Sequence, residues 1–245
     1  FFDGGQWFDE DRAVAHGHQL IAEGADIVDV GGESTRPGAR PVPEGEELRR
    51  VVPVIEALAG AVRVSVDTRK RAVARAAVDA GATIINDISA TLWPVAAETG
   101  AGWVAMHLPA DPSVMQQYAH YDDVVAEVRD HLVGRASQAA AAGVGEIWID
   151  PGIGFGKLAD HNLMLLRHVD ALVATGWPVL IGTSRKSFLG RLGPSAARAD
   201  DRLEASIAST VWSITRGAAM VRVHDVRPIV QAVRLYAAPT PKDAS

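Results

Sequence analysis

VRVSVDTRKRAVARAAVDAGATIIND, residues 62–87, contains one complete strand, helix and strand unit. The β-branched runs at 62–67 and 83–87 are short and apolar, as in buried strands. Between them, residues 69–80 carry Ala, Val and Arg at helical spacing, and Gly81 follows as a residue that ends helices. Two strands joined through a helix lie parallel in one sheet, so this segment predicts a parallel α/β fold.

The same pattern recurs along the chain. Apolar runs predict seven strands, at residues 26–31, 62–67, 83–87, 102–107, 146–150, 177–182 and 219–224. Each run is nearly continuous in apolar residues, as expected for strands that helices cover on their outer face. A chain of 245 residues with 48% hydrophobic content can bury one large core. We therefore expect one parallel β/α-barrel domain over residues 1–238 and a frayed tail at 239–245.

Composition narrows the classes of function. With 24 Lys plus Arg against 30 Asp plus Glu, the formal net charge is −6, which offers no broad basic surface for nucleic acid. The chain has no cysteine, which excludes disulfides and thiolate metal sites and favours a cytoplasmic location. Its apolar runs are too short to span a bilayer, and its first residues do not resemble a leader. We expect neither a nucleic-acid partner nor a membrane partner.

Most of the predicted strands end in a polar residue. In chain order the series is Asp29, Asp67, Asn86, His107, Asp150, Lys186, Arg222 and His224. A single aspartate at a strand end is equally consistent with the N-cap of the next helix, and His107 is consistent with a structural role. Because α/β enzymes bind ligands at the carboxyl ends of their strands, the whole series predicts one shared active-site mouth.

Two kinds of ligand suit the residue types at this mouth. Asp67 and Asp150 can accept from ring N–H and amine groups while Asn86 both donates and accepts, a mixture that suits a flat nitrogen heterocycle. Basic side chains suit oxygen anions, and arginine can bind phosphate in bidentate form. They are Arg36, Lys186, Arg222 and His224. The glycine-rich residues 31–38 are consistent with a mobile loop that covers substrate or with an ordinary surface loop. Lys186 is also consistent with a Schiff-base lysine.

Seven motifs follow one another along nearly the whole chain. They are DVGGESTRPG (29–38), SVDT (65–68), IND (85–87), MH (106–107), DPGIGFGK (150–157), SRKSFLG (184–190) and RVHDV (222–226). Together they resemble dihydropteroate synthase, a pterin-binding family. The resemblance implies condensation of p-aminobenzoate with 6-hydroxymethyl-7,8-dihydropterin pyrophosphate to give 7,8-dihydropteroate and pyrophosphate. It also implies a TIM-type barrel, Mg²⁺ as cofactor and a cytoplasmic homodimer.

The resemblance also assigns roles to residues. For the pterin they are Asp67, Asn86, Asp150 and Lys186. For the pyrophosphate they are Thr35, Arg36, Arg222 and His224. For p-aminobenzoate they are Thr35, Pro37, Phe155, Lys186 and Ser187. The groups expected to take part in catalysis are Lys186, Arg222, His224 and Asp67.

The chain departs from the family pattern at its start. The family begins with a strand that leads into Asn-Val-Thr-x-Asp-Ser-Phe, whose Asn helps to bind the metal and the pyrophosphate. Phe1 resembles the end of that loop, so we expect a (β/α)8 barrel with its first strand absent from the sequence and the metal-binding Asn upstream of Phe1. Two other functions stay open. One is a pterin-dependent methyltransferase, which would not need residues 184–186 or 222–224, and the other is a non-catalytic pterin-binding paralogue.

Overall fold

The computed structural model describes residues 9–36, 39–191 and 198–237. The strands are β1 (Ile27–Gly31), β2 (Arg63–Asp67), β3 (Ile84–Asp87), β4 (Gly102–Met106), β5 (Ile147–Asp150), β6 (Leu180–Ile181) and β7 (Met220–Val221). The α-helices are α1 (Glu10–Glu23), α2 (Glu44–Leu58), α3 (Arg71–Asp79), α4 (Trp93–Thr99), α5 (Val124–Ala141), α6 (Ala159–Arg167), α7 (Val169–Val173), α8 (Leu203–Thr215) and α9 (Val226–Ala237). Short 3₁₀ helices occupy Met115–Tyr118, Ser187–Arg191 and Ala199–Arg202.

All strand pairs are parallel. Strands β1 to β5 pair in chain order, and β6 pairs with β7. A bridge between Ile149 and Val179 joins the two groups, with the Ile149 N–H donating to the Pro178 carbonyl at 2.9 Å. The parallel β/α architecture predicted from residues 62–87 is therefore confirmed.

The seven predicted strands form close to their predicted positions, but β6 and β7 are shorter than expected. Pro178 has no backbone N–H to donate, and the N–H groups of Ala219 and Met220 both bond to the Val179 carbonyl. Beyond β7, the His224 N–H donates to the Ser184 hydroxyl instead of to a strand. Gly81 follows the end of α3, as predicted, and both it and Gly143, which follows α5, have left-handed backbones. The predicted tail at 239–245 lies outside the described residues.

The main core lies between the strands and the helices around them. Val64 and Val66 of β2 are fully buried against apolar residues of α2 and α3, among them Ile55, Val73 and Ala77. Trp103 of β4 is also fully buried, and its indole N–H donates to Asp87 Oδ2 at 3.1 Å. A fully buried indole that keeps a hydrogen-bond acceptor satisfies both its apolar and its polar atoms.

A second, smaller cluster fills the inside of the curved sheet. Ile84, Val104, Trp148 and Leu180 are buried there, with Ile27 and Met220 packed against them. These residues come from six different strands, as in the side-chain layers that fill a β/α barrel.

Between β1 and β7 lies a cavity of about 1170 Å³. Helices α1 and α9 cover its outer side, and it reaches inward as far as Ser65, Ile84 and Asn86. Among the described residues, no strand pairs with the outer edge of β1 or with the outer edge of β7. A side-chain bond between Arg222 and Asp29 joins the two sides across this cavity.

Candidate active site

Strand geometry explains why the polar strand-end residues meet. Side chains alternate between the two faces of a strand, so a residue two places after an inward-facing one also faces inward. Asn86 lies two places after Ile84, Asp150 two places after Trp148, and Arg222 two places after Met220. Ile84 and Trp148 belong to the inner cluster, and Met220 packs against it. Asn86, Asp150 and Arg222 therefore lie one layer above the inner cluster, at the carboxyl ends of their strands.

Strand register aligns the polar residues as well. Asp67 lies opposite Gly31 on one side and Asn86 on the other. Asp150 lies opposite Met106. The space at position 31 is tight for any side chain, because a Cβ on Gly31 would lie 3.3 Å from the Asp67 Cβ.

Arg222 is bound by two carboxylates. Its Nε donates to Asp29 Oδ2 at 2.6 Å, and its Nη2 donates to Asp67 Oδ2 at 3.4 Å. Asn86 Nδ2 donates to the same Asp29 oxygen at 3.1 Å. Asp29 Oδ1 is buried and accepts no hydrogen bond from the residues that the structure describes. One hydrogen-bonded group is thus formed, in which Asp29 Oδ1 remains available as an acceptor; its members are Asp29, Asp67, Asn86 and Arg222.

Lys186 approaches the same site from the loop after β6. Its Nζ donates to the carbonyl of Ile153 and lies 4.8 Å from the centroid of the Phe155 ring. Gly182 lies beside it, because a Cβ at that position would be in ordinary contact, at 3.8 Å, with both Lys186 Nζ and Arg222 Cβ. Lys186 therefore lies between the loop after β5 and the hydrogen-bonded group that contains Asp29, Asp67 and Arg222.

Buried charges shift one another's pKa values at this site. Burial, with Asp29 adding to it, raises the pKa of Asp67 to about 7, against the opposing effect of Arg222. Burial lowers the pKa of Lys186 to about 8, although the Asp150 carboxylate acts in the opposite direction. Burial also raises the pKa of Asp150, despite the nearby Lys186. For Arg222, the burial that lowers the pKa is outweighed by Asp29 and Asp67, so the pKa is raised.

The raised pKa of Asp67 predicts a pH dependence of stability. From its ordinary value of 3.8 up to about 7, the carboxyl is protonated in the folded chain and ionised in the unfolded chain. The folded state then binds more protons, so this group's contribution to stability is fully present below about pH 4 and is lost as pH rises to 7. We compare the free energy of unfolding of Asp67→Asn with that of the wild type at about pH 4.5 and at about pH 7.5. We expect the difference to shift in favour of Asp67→Asn by on the order of a few kcal/mol from the lower to the higher pH.

Urea unfolding at both pH values measures this difference. Asp79→Asn is the matched control, because Asp79 is an exposed aspartate at the end of α3, outside the buried carboxylate group. A stability difference for Asp67→Asn that stays constant over the same range would show that Asp67 is ionised throughout.

The loop after β1 carries Thr35 and Arg36 and is tied to the next loop by charged residues. Glu33 accepts from the Val42 N–H at 2.7 Å, from Arg69 Nε at 3.0 Å and from Lys70 Nζ at 2.8 Å. Lys70 also bonds to Glu47, which is 1% exposed. The loop is thus held at its base.

The remaining predicted residues lie at different distances from this group. Arg36 and His224 line the cavity that Asn86 and Arg222 also line, and Nδ1 of His224 lies 3.0 Å from the Ser184 hydroxyl. Thr35 is buried in its loop, while Ser187 is exposed at the start of its 3₁₀ helix. Pro37, predicted at the p-aminobenzoate site, lies outside the described residues.

Two residues at the site were assigned no ligand from the sequence, although Asp29 belonged to the strand-end series and Lys157 to the motif at 150–157. Asp29 binds Arg222 and Asn86, and the signal was a charged residue inside the apolar run of β1. Lys157 is buried behind Phe155, and its Nζ lies 3.0 Å from His107 Nδ1. The contact is consistent with the structural role expected for His107, whose pKa is lowered to about 2 by burial, Lys157 and His131.

The part of the chain that the structure describes contains no cluster of three or more His, Cys, Asp or Glu residues able to hold a metal ion. None of its helices combines the length and apolar character needed to cross a membrane.

The chain is similar to known proteins over nearly its whole length. Residues 1–224 match the family model described as pterin binding enzyme. Dihydropteroate synthase from Mycobacterium leprae is 47% identical over 251 residues, covering 97% of this chain and 88% of that protein. Dihydropteroate synthase from Thermus thermophilus, crystallised with 4-aminobenzoate, has a TM-score of 0.88 at 44% identity and covers 94% of this chain and 90% of that one. The Yersinia pestis dihydropteroate synthase, in a sulfonamide complex, has a TM-score of 0.92 at 40% identity, with 97% and 89% covered.

Proposed function

Since this chain belongs to the dihydropteroate synthase family of pterin binding enzymes, we propose that its strand-end site joins p-aminobenzoate to a dihydropterin. The substrate is 6-hydroxymethyl-7,8-dihydropterin pyrophosphate, and the products are 7,8-dihydropteroate and pyrophosphate. The observation that carries the proposal is the connected group of Asp29, Asp67, Asn86 and Arg222, with Lys186 beside it. It offers acceptors for a nitrogen heterocycle next to cations for an oxygen anion.

The acceptor half suits the edge of a pterin. Asp67 and Asp150 would accept from the ring N–H and the exocyclic amine, and Asn86 would both donate and accept. An aspartate with a pKa of about 7 can be ionised or protonated at little cost near neutral pH, so Asp67 can adapt to the charge of the ring. Lys186 completes this half by donating to a ring acceptor.

The basic half suits the leaving group. Arg222 and His224, with Thr35 and Arg36 on the loop after β1, would surround the pyrophosphate. p-Aminobenzoate would lie on the Lys186 side, beside Phe155 and Ser187 and the loop that carries Pro37. The Thermus thermophilus relative was crystallised with 4-aminobenzoate and the Yersinia pestis relative with a sulfonamide, which supports an arylamine as the second substrate.

The reaction needs charge stabilisation more than a strong base. The bond from the pterin methylene to the pyrophosphate oxygen breaks, and a bond from the same carbon to the arylamine nitrogen forms. The amine is neutral at pH 7 and loses a proton after attack. Positive charge that develops on the pterin is offset by Asp67 and Asp150, and negative charge on the departing oxygen is stabilised by Arg222 and His224.

Magnesium, dimer formation and location belong to the same proposal. Mg²⁺ commonly binds through one or two carboxylates and the phosphates of a substrate, so the pyrophosphate would supply several of its ligands. In residues 9–36, 39–191 and 198–237, no metal cluster is formed, and we assign no chemical step to the ion. A cytoplasmic homodimer is expected from the family.

A two-substrate assay tests the proposed function. We expect dihydropteroate and pyrophosphate to form in equal amounts, and only when both p-aminobenzoate and the pterin pyrophosphate are present. A sulfonamide should compete with p-aminobenzoate. Calorimetry would detect the alternative function. Tight pterin binding with no ternary complex and no product would identify a non-catalytic paralogue.

A further inference from the structure

Lys157 is a buried lysine outside the residues assigned to substrate binding. It is 4% exposed and lies at the end of the loop that follows β5. Its Nζ bonds to the carbonyl of Gly152 at 3.1 Å, to the carbonyl of Phe155 at 3.0 Å and to His107 Nδ1 at 3.0 Å. Its Nζ also lies 3.4 Å from the His107 carbonyl, so the amine has acceptor atoms on three residues. The side chain therefore folds back into its own loop and joins that loop to the end of β4.

The loop around Lys157 has a conformation that is costly to order. Gly152, Gly154 and Gly156 all have left-handed backbones. A Cβ at Gly152 would lie 2.1 Å from the His107 carbonyl, and one at Gly156 would lie 2.3 Å from Pro109 Cγ. Glycine loses more conformational freedom on ordering than other residues, so three in one loop require strong fixed contacts. The amine of Lys157, bound to two carbonyls of the loop, supplies such contacts.

The other side of this loop forms part of the proposed site. The Ile153 carbonyl accepts from Lys186, the Phe155 ring lies under the Lys186 amine, and Gly154 lies against the Lys186 side chain. Lys157 is therefore separated from the substrate positions by the backbone that carries Phe155 and contacts Lys186. Its amine contacts the loop on the side opposite the substrate positions.

We propose that Lys157 is a positioning residue that fixes the loop after β5 and so sets the Phe155 ring for binding p-aminobenzoate. The inference rests on the proposed function. Asp150 depends less on Lys157, because its backbone is paired with β4 and its carbonyl accepts from the His107 N–H at 2.9 Å. Loss of the Lys157 amine should therefore weaken binding of p-aminobenzoate more than binding of the pterin pyrophosphate.

Kinetics of Lys157→Met test this split. We expect the KM for p-aminobenzoate to rise at least about tenfold, because small displacements of positioning groups are costly. The KM for the pterin pyrophosphate should stay within about threefold of the wild-type value. Arg167→Met is the matched control, since Arg167 is an exposed cation on the following helix α6, and both constants should be unchanged. Equal increases in the two KM values, or none, would overturn the inference.

Hydrogen exchange provides a readout that needs no turnover. The amides of Gly152, Gly154 and Phe155 donate to Asp150 Oδ1, Asn162 Oδ1 and the Gly152 carbonyl, respectively. In Lys157→Met without substrates, they should exchange at least about tenfold faster than in the wild type. Unchanged exchange would overturn the inference even in an inactive protein. An inactive wild type would instead count against the proposed function, and calorimetric affinity for p-aminobenzoate would then replace the KM.

The lack of cysteine allows a chemical rescue. The thiol of Lys157→Cys is unique in the chain, so it can be alkylated in the unfolded state and the protein refolded. An aminoethyl group restores an amine at the length of lysine, whereas an ethyl group differs only in lacking it. We expect the aminoethyl form to recover the p-aminobenzoate KM to within about threefold of the wild type and the ethyl form to resemble Lys157→Met. Equal KM values for the two alkylated forms would contradict the role of the amine.

Discussion

Replacing Arg222 by alanine is expected to lower kcat/KM for the pterin pyrophosphate by at least about a hundredfold. The guanidinium bonds to Asp29 and Asp67 and is proposed to stabilise the leaving pyrophosphate. Its removal takes away the cation and leaves two buried carboxylates close together. The remaining repulsion should raise the pKa of Asp67 further and weaken its use as an ionised acceptor. Steady-state rates of dihydropteroate formation measure the effect.

Controls separate this role from a general loss of charge. Arg227→Ala removes an exposed arginine from the start of α9 and should leave the rate unchanged. Circular dichroism and urea unfolding establish that Arg222→Ala is folded at the assay temperature. Asp29→Asn combined with Arg222→Ala should recover stability but not activity, because it removes the unpaired carboxylate without restoring the cation. A near-normal rate in folded Arg222→Ala would refute the role of this residue at the pyrophosphate.

Lys186→Ala should lose a comparable factor, at least about a hundredfold in kcat/KM. Lys186 contacts the Ile153 carbonyl and the Phe155 ring and acts on the Asp150 carboxylate, so one residue serves both proposed substrate positions. Loss should therefore appear with either substrate varied. Lys186→Arg keeps the charge but presents a larger planar group, and it should recover only part of the rate.

A nearby exposed cation provides the comparison for Lys186. Arg191→Ala removes a positive charge at the other end of the 3₁₀ helix Ser187–Arg191 and should have little effect on the rate. Borohydride reduction in the presence of either substrate should leave Lys186 unmodified by mass spectrometry. A covalent adduct would instead favour the Schiff-base alternative, and activity in Lys186→Ala close to that of the wild type would remove Lys186 from the mechanism.

Residues that follow from strand geometry could be predicted from the sequence. The carboxyl ends of parallel strands lie at one end of a barrel, so short apolar runs that end in Asp67, Asn86 and Asp150 were sufficient to bring these side chains together. The family resemblance, rather than strand geometry, placed Phe155 and Lys186 together at the p-aminobenzoate site. The structure has the Lys186 amine over that ring.

Contacts that depend on loop conformation could not be predicted in this way. Lys157 closes on its own loop because three glycines adopt left-handed backbones, and no pattern of apolar residues encodes that path. Glu33 meets Arg69 and Lys70 because two loops after adjacent strands come together, which requires knowing where each loop turns. Asp29 was visible as a strand-end residue, but its partner Arg222 comes from the opposite end of the chain.

The pair formed by Asp29 and Arg222 also has a consequence for folding. Strands β1 to β5 each pair with the next strand along the chain, so most of the sheet can form through contacts between near neighbours. Asp29 and Arg222 are 193 residues apart, and their bond requires the first and last strands to be in place. Such long-range contacts carry the largest loop-closure entropy and form slowly. The proposed anion site therefore forms only once both β1 and β7 are in place, and the appearance of activity during refolding should report that late step.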